Sequence, residues 1–139
     1  MYENLLADVR TDLWIGGKWR KASDGGRFDV IDPATENKIA SVASATGEDA
    51  NAAIDAASDA FPGWAAKKPR ERGEILRKSF ELIMRDAERL AKLITIENGK
   101  ALSDSRSEVA YAAEFFRWFA EEGVRNLGQL YNEIGRAHV

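Results

Sequence analysis

The spacing of apolar residues changes near Thr46, and this change constrains the fold more than any other feature of the chain. Before Thr46, short apolar runs are separated by glycine and proline, which is typical of β-strands joined by turns. After it, apolar residues recur every three or four positions, which is typical of amphipathic helices. The sequence therefore predicts an α+β arrangement, in which a small N-terminal β-hairpin or sheet is followed by three amphipathic helices.

The N-terminal region contains a predicted β-rich stretch, preceded by a short helical arm at residues 4–9. The glycine pair in "LWIGGKW" lies between apolar runs and is a two-residue hairpin signal. In "RFDVIDPAT" a strand runs into an Asp-Pro step, where proline ends the ladder and keeps the preceding residue extended. The alternation of apolar with small or polar residues in "NKIASVAS" predicts a further short strand.

The first long helix has a start signal and a stop signal. Thr46 is followed three residues later by Asp49, which resembles a capping box with Asp in place of the usual Glu. Proline and glycine at Pro62-Gly63 are expected to end this helix.

The second and third helices follow from continuous apolar stripes. Pro69 suits a first helical position, and one stripe running to Ile96 predicts a single helix that Gly99 closes in a left-handed conformation. The third helix is predicted to begin at Asp104 or Ser105. Its apolar arc is unusually wide, so we expect it to be buried on more than one side.

Composition excludes several kinds of chemistry within these residues. The chain has no cysteine and one histidine, His138, which leaves no thiolate nucleophile, disulfide scaffold or cysteine-based zinc site. It has no glycine-rich nucleotide loop. A net charge of −3 gives no reason to expect nucleic acid or an anionic membrane as a partner. No apolar run has membrane-spanning length and no secretory signal opens the chain, so we expect a cytoplasmic protein.

Two stretches have both a structural and a functional interpretation. "TIENGK" is most simply a helix end, with Gly99 as cap and Lys100 beside the negative end of the helix dipole. Alternatively, Glu97 is an oxygen ligand for a cation among freed helix-end carbonyls. The aromatic stretch "EFFRWF" is most simply core, and alternatively the wall of an apolar ligand tunnel.

The order of the motifs "WIGGKW", "DVIDPAT", "KIASV", "AAIDAASDAFPGWAA", "RERGEILRK" and "TIENGKAL" resembles the N-terminal part of the aldehyde dehydrogenase superfamily. The ending "EVAYAAEFFRWFAEEGVRNLG" looks most like the succinate-semialdehyde dehydrogenase branch. The resemblance implies a parent enzyme with the α/β aldehyde dehydrogenase fold. It also implies that residues 1–131 form an incomplete N-terminal part of the cofactor-binding domain.

In enzymes of this family a cysteine thiolate attacks the aldehyde, hydride passes to the nicotinamide, and a glutamate activates water to release the acid. The resemblance places all these groups downstream of this chain, so we expect it to contain no catalytic and no cofactor-binding residues and to be inactive alone. The parent is expected to be a homo-oligomer that uses NAD or NADP on a small-molecule aldehyde, succinate semialdehyde in particular. The competing hypothesis is a free-standing helical protein-interaction module without enzymatic activity.

The resemblance also implies two kinds of site residue. Many family members hold a structural monovalent cation, and the matching ligands here are the backbone carbonyls of Val30 and Ile31 and the side chain of Glu97. Glu97 replaces an aspartate found in many members and is one methylene longer. The third helix is expected near the aldehyde entry tunnel, where Phe115 or Phe116 would shape the substrate site.

Residues 132–139 depart from the family pattern. The ending "EIGRAHV" is what a widely used sequencing-library adapter encodes in one reading frame. We therefore expect this tail, with His138, to be adapter read-through and not part of the natural protein.

Overall fold

The computed structural model describes residues 3–125, so the predicted tail at residues 132–139 lies outside the described residues. The α+β prediction is confirmed. The elements in chain order are α1 (Glu3–Leu6), β1 (Leu13–Ile15), β2 (Lys18–Arg20), β3 (Arg27–Ile31), β4 (Lys38–Ala43), α2 (Gly47–Ala65), α3 (Pro69–Arg85), α4 (Ala87–Asn98) and α5 (Leu102–Glu122). None of the helices in this part of the chain is long and apolar enough to cross a membrane.

The strands form two separate two-stranded antiparallel ladders, β1–β2 and β3–β4. The predicted glycine hairpin is confirmed: Gly16 and Gly17 have φ of +59° and +76°, which a two-residue turn between twisted strands requires. In the second ladder Val30 pairs with Ala40 but Ile31 pairs with Lys38, so one extra residue of β4 forms a bulge at the end of β3.

The two ladders are joined by hydrogen bonds near their ends. The backbone N–H of Ala43 donates to the carbonyl of Thr11 at 2.8 Å. The Arg27 guanidinium donates to the hydroxyl of Thr11 at 2.8 Å, to the carbonyl of Ser41 at 2.5 Å and to Asp12 at 2.8 Å. These bonds hold the hairpins together although no strand within residues 3–125 is shared by the two ladders.

Helix α2 begins as predicted and ends later than predicted. Both hydrogen bonds of the Thr46–Asp49 capping box are present. The expected stop at Pro62-Gly63 is wrong, because the helix continues to Ala65. Proline fixes φ near a helical value, so the chain can continue with the loss of one donor, and Ala66 N–H still donates to the carbonyl of Pro62 at 3.0 Å.

The single helix predicted over residues 69–96 is wrong, because the structure divides it into α3 and α4 at Asp86. Asp86 leaves the helical region, with φ −99° and ψ 10°, and Arg85 donates to its carboxylate at 2.9 and 2.8 Å. Aspartate has a low helix propensity, which favours a break here. Residues 3–125 therefore contain four long helices after the strands instead of three.

Helix α5 begins at Leu102, before the predicted Asp104 or Ser105, and packs on α3 and α4. Its bundle side is buried at Ser105, Val109 and Ala113. The expectation that α5 is buried on more than one side is wrong for the described residues. The periodicity shows which positions of the helix are apolar, but which of them are buried depends on how the other elements pack against it.

Candidate functional site

The end of α4 lies directly against the turn that follows β3. Gly99 closes α4 in the predicted left-handed conformation, with φ +76°, and its N–H donates to the carbonyl of Thr95 at 2.9 Å. A Cβ placed on Gly99 would lie 2.9 Å from Cγ of Pro33. Glycine is therefore required here twice, for its backbone conformation and for the close approach of Pro33.

The turn that presents Pro33 is held by the carboxylate of Asp32, which is 1% exposed. This carboxylate accepts the backbone N–H of Ala34 at 2.8 Å and the hydroxyl of Thr35 at 2.9 Å. The bond to a backbone N–H two residues on is an Asx turn. The Asp-Pro step predicted only that Asp32 is extended; its role as an anchor of the turn was not predicted, although Asp at a turn start is a recognised signal.

The contact between Gly99 and Pro33 brings together the two segments that carry the predicted cation ligands. Val30 is half-buried and Ile31 is 44% exposed at the end of β3, while Glu97 is exposed in the last turn of α4. Among residues 3–125, no three His, Cys, Asp or Glu side chains are grouped so that they could hold a metal ion. A cation here would depend on backbone carbonyls for most of its oxygen ligands. The cation site stays a prediction.

The α4–α5 junction fixes the helix end that carries Glu97. The hydroxyls of Thr95 and the buried Ser105 are hydrogen-bonded at 3.0 Å. Lys100 forms an ion pair with Glu108 of α5. Lys100 therefore also links the two helices, beyond its predicted place at the negative end of the α4 dipole.

The aromatic stretch of α5 is exposed, so the interpretation of these residues as core is wrong within the described residues. Phe115 is 47% exposed and Phe116 is 37% exposed. The two differ in their surroundings. An open groove of about 320 Å³ is lined by Tyr111, Glu114, Phe115, Trp118 and Phe119. Phe115 thus contributes to a groove wall, and the ring of Tyr111 meets it edge-on at a centroid distance of 5.0 Å.

A second buried carboxylate, Asp49, ties α2 to the first hairpin. Arg20 donates to it at 2.6 Å, and the backbone N–H groups of Ser23 and Thr46 each donate at 3.0 Å. The backbone hydrogen bonds from Thr46 and Ser23 lower the pKa of Asp49 to about 2. With a pKa this low and both oxygens hydrogen-bonded, the Asp49 carboxylate is too weak a base for acid–base catalysis near neutral pH, and it acts as a structural anchor. Only its bonds to Thr46 were predictable, because Arg20 and Ser23 are distant in sequence.

The described residues form two hairpins followed by a layer of helices. The comparison with protein families identifies the class of protein to which this arrangement belongs. The model described as "Aldehyde dehydrogenase family" matches residues 19–138. The chain therefore belongs to the aldehyde dehydrogenase family. The matched range includes part of the tail at residues 132–139.

Among the relatives, the chain is 44% identical over 119 residues to the NADP(+) succinate-semialdehyde dehydrogenase of Escherichia coli, covering 86% of this chain and 25% of that protein. The crystal structure of succinate-semialdehyde dehydrogenase from Burkholderia pseudomallei superposes with a TM-score of 0.85 at 40% identity, covering 90% of this chain and 26% of that one. Betaine aldehyde dehydrogenase from Staphylococcus aureus in complex with NAD+ superposes with a TM-score of 0.89 at 29% identity, covering 95% of this chain and 27% of that one. The chain thus spans about a quarter of the length of the curated relatives it matches.

Proposed function

We propose that this chain is the N-terminal segment of an aldehyde dehydrogenase that oxidises succinate semialdehyde to its carboxylic acid with NAD(P)+. The observation that carries the proposal is the 44% identity to a succinate-semialdehyde dehydrogenase over 119 residues. The proposal is also supported by the structural neighbours, where identity is 40% to a succinate-semialdehyde dehydrogenase and 29% to a betaine aldehyde dehydrogenase.

In this proposal the chain contributes scaffold and a groove wall, and the reacting groups come from the rest of the polypeptide. The chain contains no cysteine to act as the thiolate nucleophile. It also contains no glycine-rich phosphate loop, so its residues do not fit a dinucleotide site on their own. We expect neither turnover nor NAD(P) binding by the chain alone, and we expect the parent enzyme to be a homo-oligomer.

Two sites within the chain follow from the same proposal. The carbonyls of Val30 and Ile31 with Glu97 are assigned to a structural monovalent cation, supported by the contact between Gly99 and Pro33 that draws their segments together. Phe115 is assigned to the substrate tunnel ahead of Phe116, because Phe115 lines the open groove on α5.

A chimeric enzyme tests the proposed identity of the segment. Residues 19–125 would replace the corresponding segment of the E. coli succinate-semialdehyde dehydrogenase, with the unmodified enzyme as reference and the enzyme lacking the segment as negative control. We expect a soluble chimera that oxidises succinate semialdehyde with NADP+. A chimera as inactive as the truncated control would contradict the proposal.

The second candidate function is a free-standing helical interaction module, which would dock on a partner through the aromatic side chains of α5 that are exposed here. As a segment of a larger enzyme, the isolated chain should bind hydrophobic dye and self-associate. A chain that is monomeric by sedimentation, melts cooperatively and does not increase the fluorescence of the dye would favour the independent module.

A further inference from the structure

The last residue of α4 is an asparagine followed by glycine. The chain has six asparagines, and only Asn98 has glycine after it. Asparagine side-chain amides are chemically labile, and glycine leaves the neighbouring backbone nitrogen unobstructed because it has no Cβ. Asn98 is exposed, and its side chain makes no hydrogen bond within residues 3–125. The amide is therefore accessible to the reaction that this dipeptide favours, which is deamidation.

Deamidation at this step needs only the backbone and water. The backbone nitrogen of Gly99 attacks Cγ of Asn98, and the bond from Cγ to the side-chain nitrogen breaks. That nitrogen leaves as ammonia with the proton that Gly99 gives up, and a succinimide ring remains. Water then adds to one of the two ring carbonyl carbons and opens the ring to aspartate or isoaspartate. No oxidant, reductant or metal takes part.

The folded structure holds the reacting atoms apart. Ring closure requires Cβ of Asn98 and the nitrogen of Gly99 to eclipse each other about the Cα–C bond. Asn98 belongs to α4, and a helical ψ of roughly −42° keeps these two atoms well apart. The Gly99 N–H also donates to the carbonyl of Thr95 at 2.9 Å. The attacking nitrogen is therefore both misplaced and engaged while the helix end is intact.

Contacts on both sides oppose a local rotation of this step. A Cβ placed on Gly99 would lie 2.9 Å from Cγ of Pro33, so the turn after β3 presses against the helix end. On the other side, Lys100 forms an ion pair with Glu108 of α5. Ring closure therefore requires the end of α4 to separate from Pro33.

We propose that Asn98 is a deamidation site that the cap of α4 keeps closed and that reacts when the contact between Gly99 and Pro33 opens. Isoaspartate adds a methylene to the main chain and so displaces Gly99 from the carbonyl of Thr95. Aspartate places a second carboxylate beside Glu97 at the negative end of the α4 dipole, which also opposes closing. Deamidation thus converts a transient opening of the helix end into a lasting one. This proposal does not depend on the proposed function.

Mass spectrometry of tryptic peptides follows the reaction one asparagine at a time. Cleavage after lysine and arginine gives the peptides 93–100, 28–38 and 39–67, which contain Asn98, Asn37 and Asn51 respectively. The 139-residue chain is incubated at mildly alkaline pH, folded in buffer or unfolded in urea, and circular dichroism monitors the folded state. Asn37 and Asn51 are internal references, because neither precedes glycine.

We expect Asn98 to deamidate faster than both reference asparagines in urea. In the folded chain its rate should fall by about tenfold or more, which corresponds to at least about 1.4 kcal/mol for opening the cap. Pro33→Ala should raise the rate in the folded chain and leave the rate in urea unchanged, because it removes the contact and not the reacting atoms. Asp49→Ala is the matched control: it weakens the distant α2 anchor and should not change the rate in the folded chain.

Equal rates at Asn98 in the folded chain and in urea would overturn the proposal. A folded Pro33→Ala chain that reacts no faster than the unmodified chain, or Pro33→Ala and Asp49→Ala chains that react equally fast, would overturn it as well. If circular dichroism shows that Pro33→Ala no longer folds, the unmodified chain in buffer and in urea, together with Asp49→Ala, decides.

The effect of the product is tested by Asn98→Asp, with Asn98→Ser as the matched control that removes the amide without adding charge. Asn98→Asp should have the lower urea midpoint of unfolding, because it alone places a carboxylate beside Glu97 at the negative end of the helix dipole. Equal midpoints would contradict the proposed effect of deamidation on the cap.

Discussion

The packing of α3 against α5 gives the sharpest prediction about stability. Gly73 is buried in α3, and a Cβ placed on it would lie 2.8 Å from the carbonyl oxygen of Ala120 in α5. Ordinary contacts at a Cβ begin at 3.4 Å, so Gly73→Ala requires the two helices to separate by about 0.6 Å. The obstacle is a backbone carbonyl, which cannot rotate away as a side chain can.

Two opposing effects set the magnitude of this change. Alanine is preferred over glycine inside a helix by about 1 kcal/mol, which favours the variant. Inserting a methyl group into a tight contact costs about 1 to 3 kcal/mol, and an immovable backbone atom places this site toward the upper end. The net expectation is that Gly73→Ala lowers the free energy of unfolding by about 1 to 2 kcal/mol.

Urea unfolding followed by circular dichroism measures this difference, with Gly63→Ala as the matched control. Gly63 also lies within a helix, but a Cβ on it would meet nothing within 4 Å. Gly63→Ala should therefore be neutral or stabilising by up to about 1 kcal/mol. If Gly73→Ala were as stable as Gly63→Ala, the close approach of α3 and α5 would be refuted.

Three further predictions concern the end of α4 and the α2 anchor. Gly99→Ala should lower the urea midpoint of unfolding more than Gly17→Ala does. Both glycines have φ +76°, but only at Gly99 would the added Cβ also press against Pro33. The difference between the two midpoints should therefore disappear when Pro33→Ala is added. Asp49 has a pKa lowered from 3.8 to about 2, so the stability it contributes is complete above about pH 4 and is lost as the pH falls toward 2. Acid titration of unfolding should accordingly be flatter for Asp49→Asn in that window, and an unchanged slope would refute the anchor. In the chimera with the E. coli enzyme, Glu97→Gln should weaken the dependence of melting temperature on sodium or potassium, whereas an unchanged dependence would remove Glu97 from the cation site.

Local features were predictable from the sequence because their signals lie within a few residues. The Gly16-Gly17 hairpin, the Thr46–Asp49 capping box and the left-handed Gly99 each follow from the conformational preferences of the residues involved. Membership of the aldehyde dehydrogenase family was equally predictable, since the order of motifs along the chain indicated it.

Features that depend on distant residues were not predictable in the same way. The break at Asp86 was missed because the apolar stripe continues on both sides of it. The hydrogen bond from Arg20 to Asp49 joins residues 29 positions apart, and no local sequence pattern predicts it. The exposure of Phe115 depends on what covers α5, and apolar periodicity describes only the helix itself.

The most direct test of the account is a kinetic measurement on the full-length polypeptide from the same locus. Its kcat/KM would be compared for succinate semialdehyde, glutarate semialdehyde and betaine aldehyde, each with NAD+ and with NADP+. We predict NAD(P)+-dependent oxidation with the highest kcat/KM for succinate semialdehyde, and loss of turnover when the polypeptide lacks residues 1–125. A full-length polypeptide that oxidises none of these aldehydes, or that prefers glutarate semialdehyde or betaine aldehyde, would contradict the proposed function.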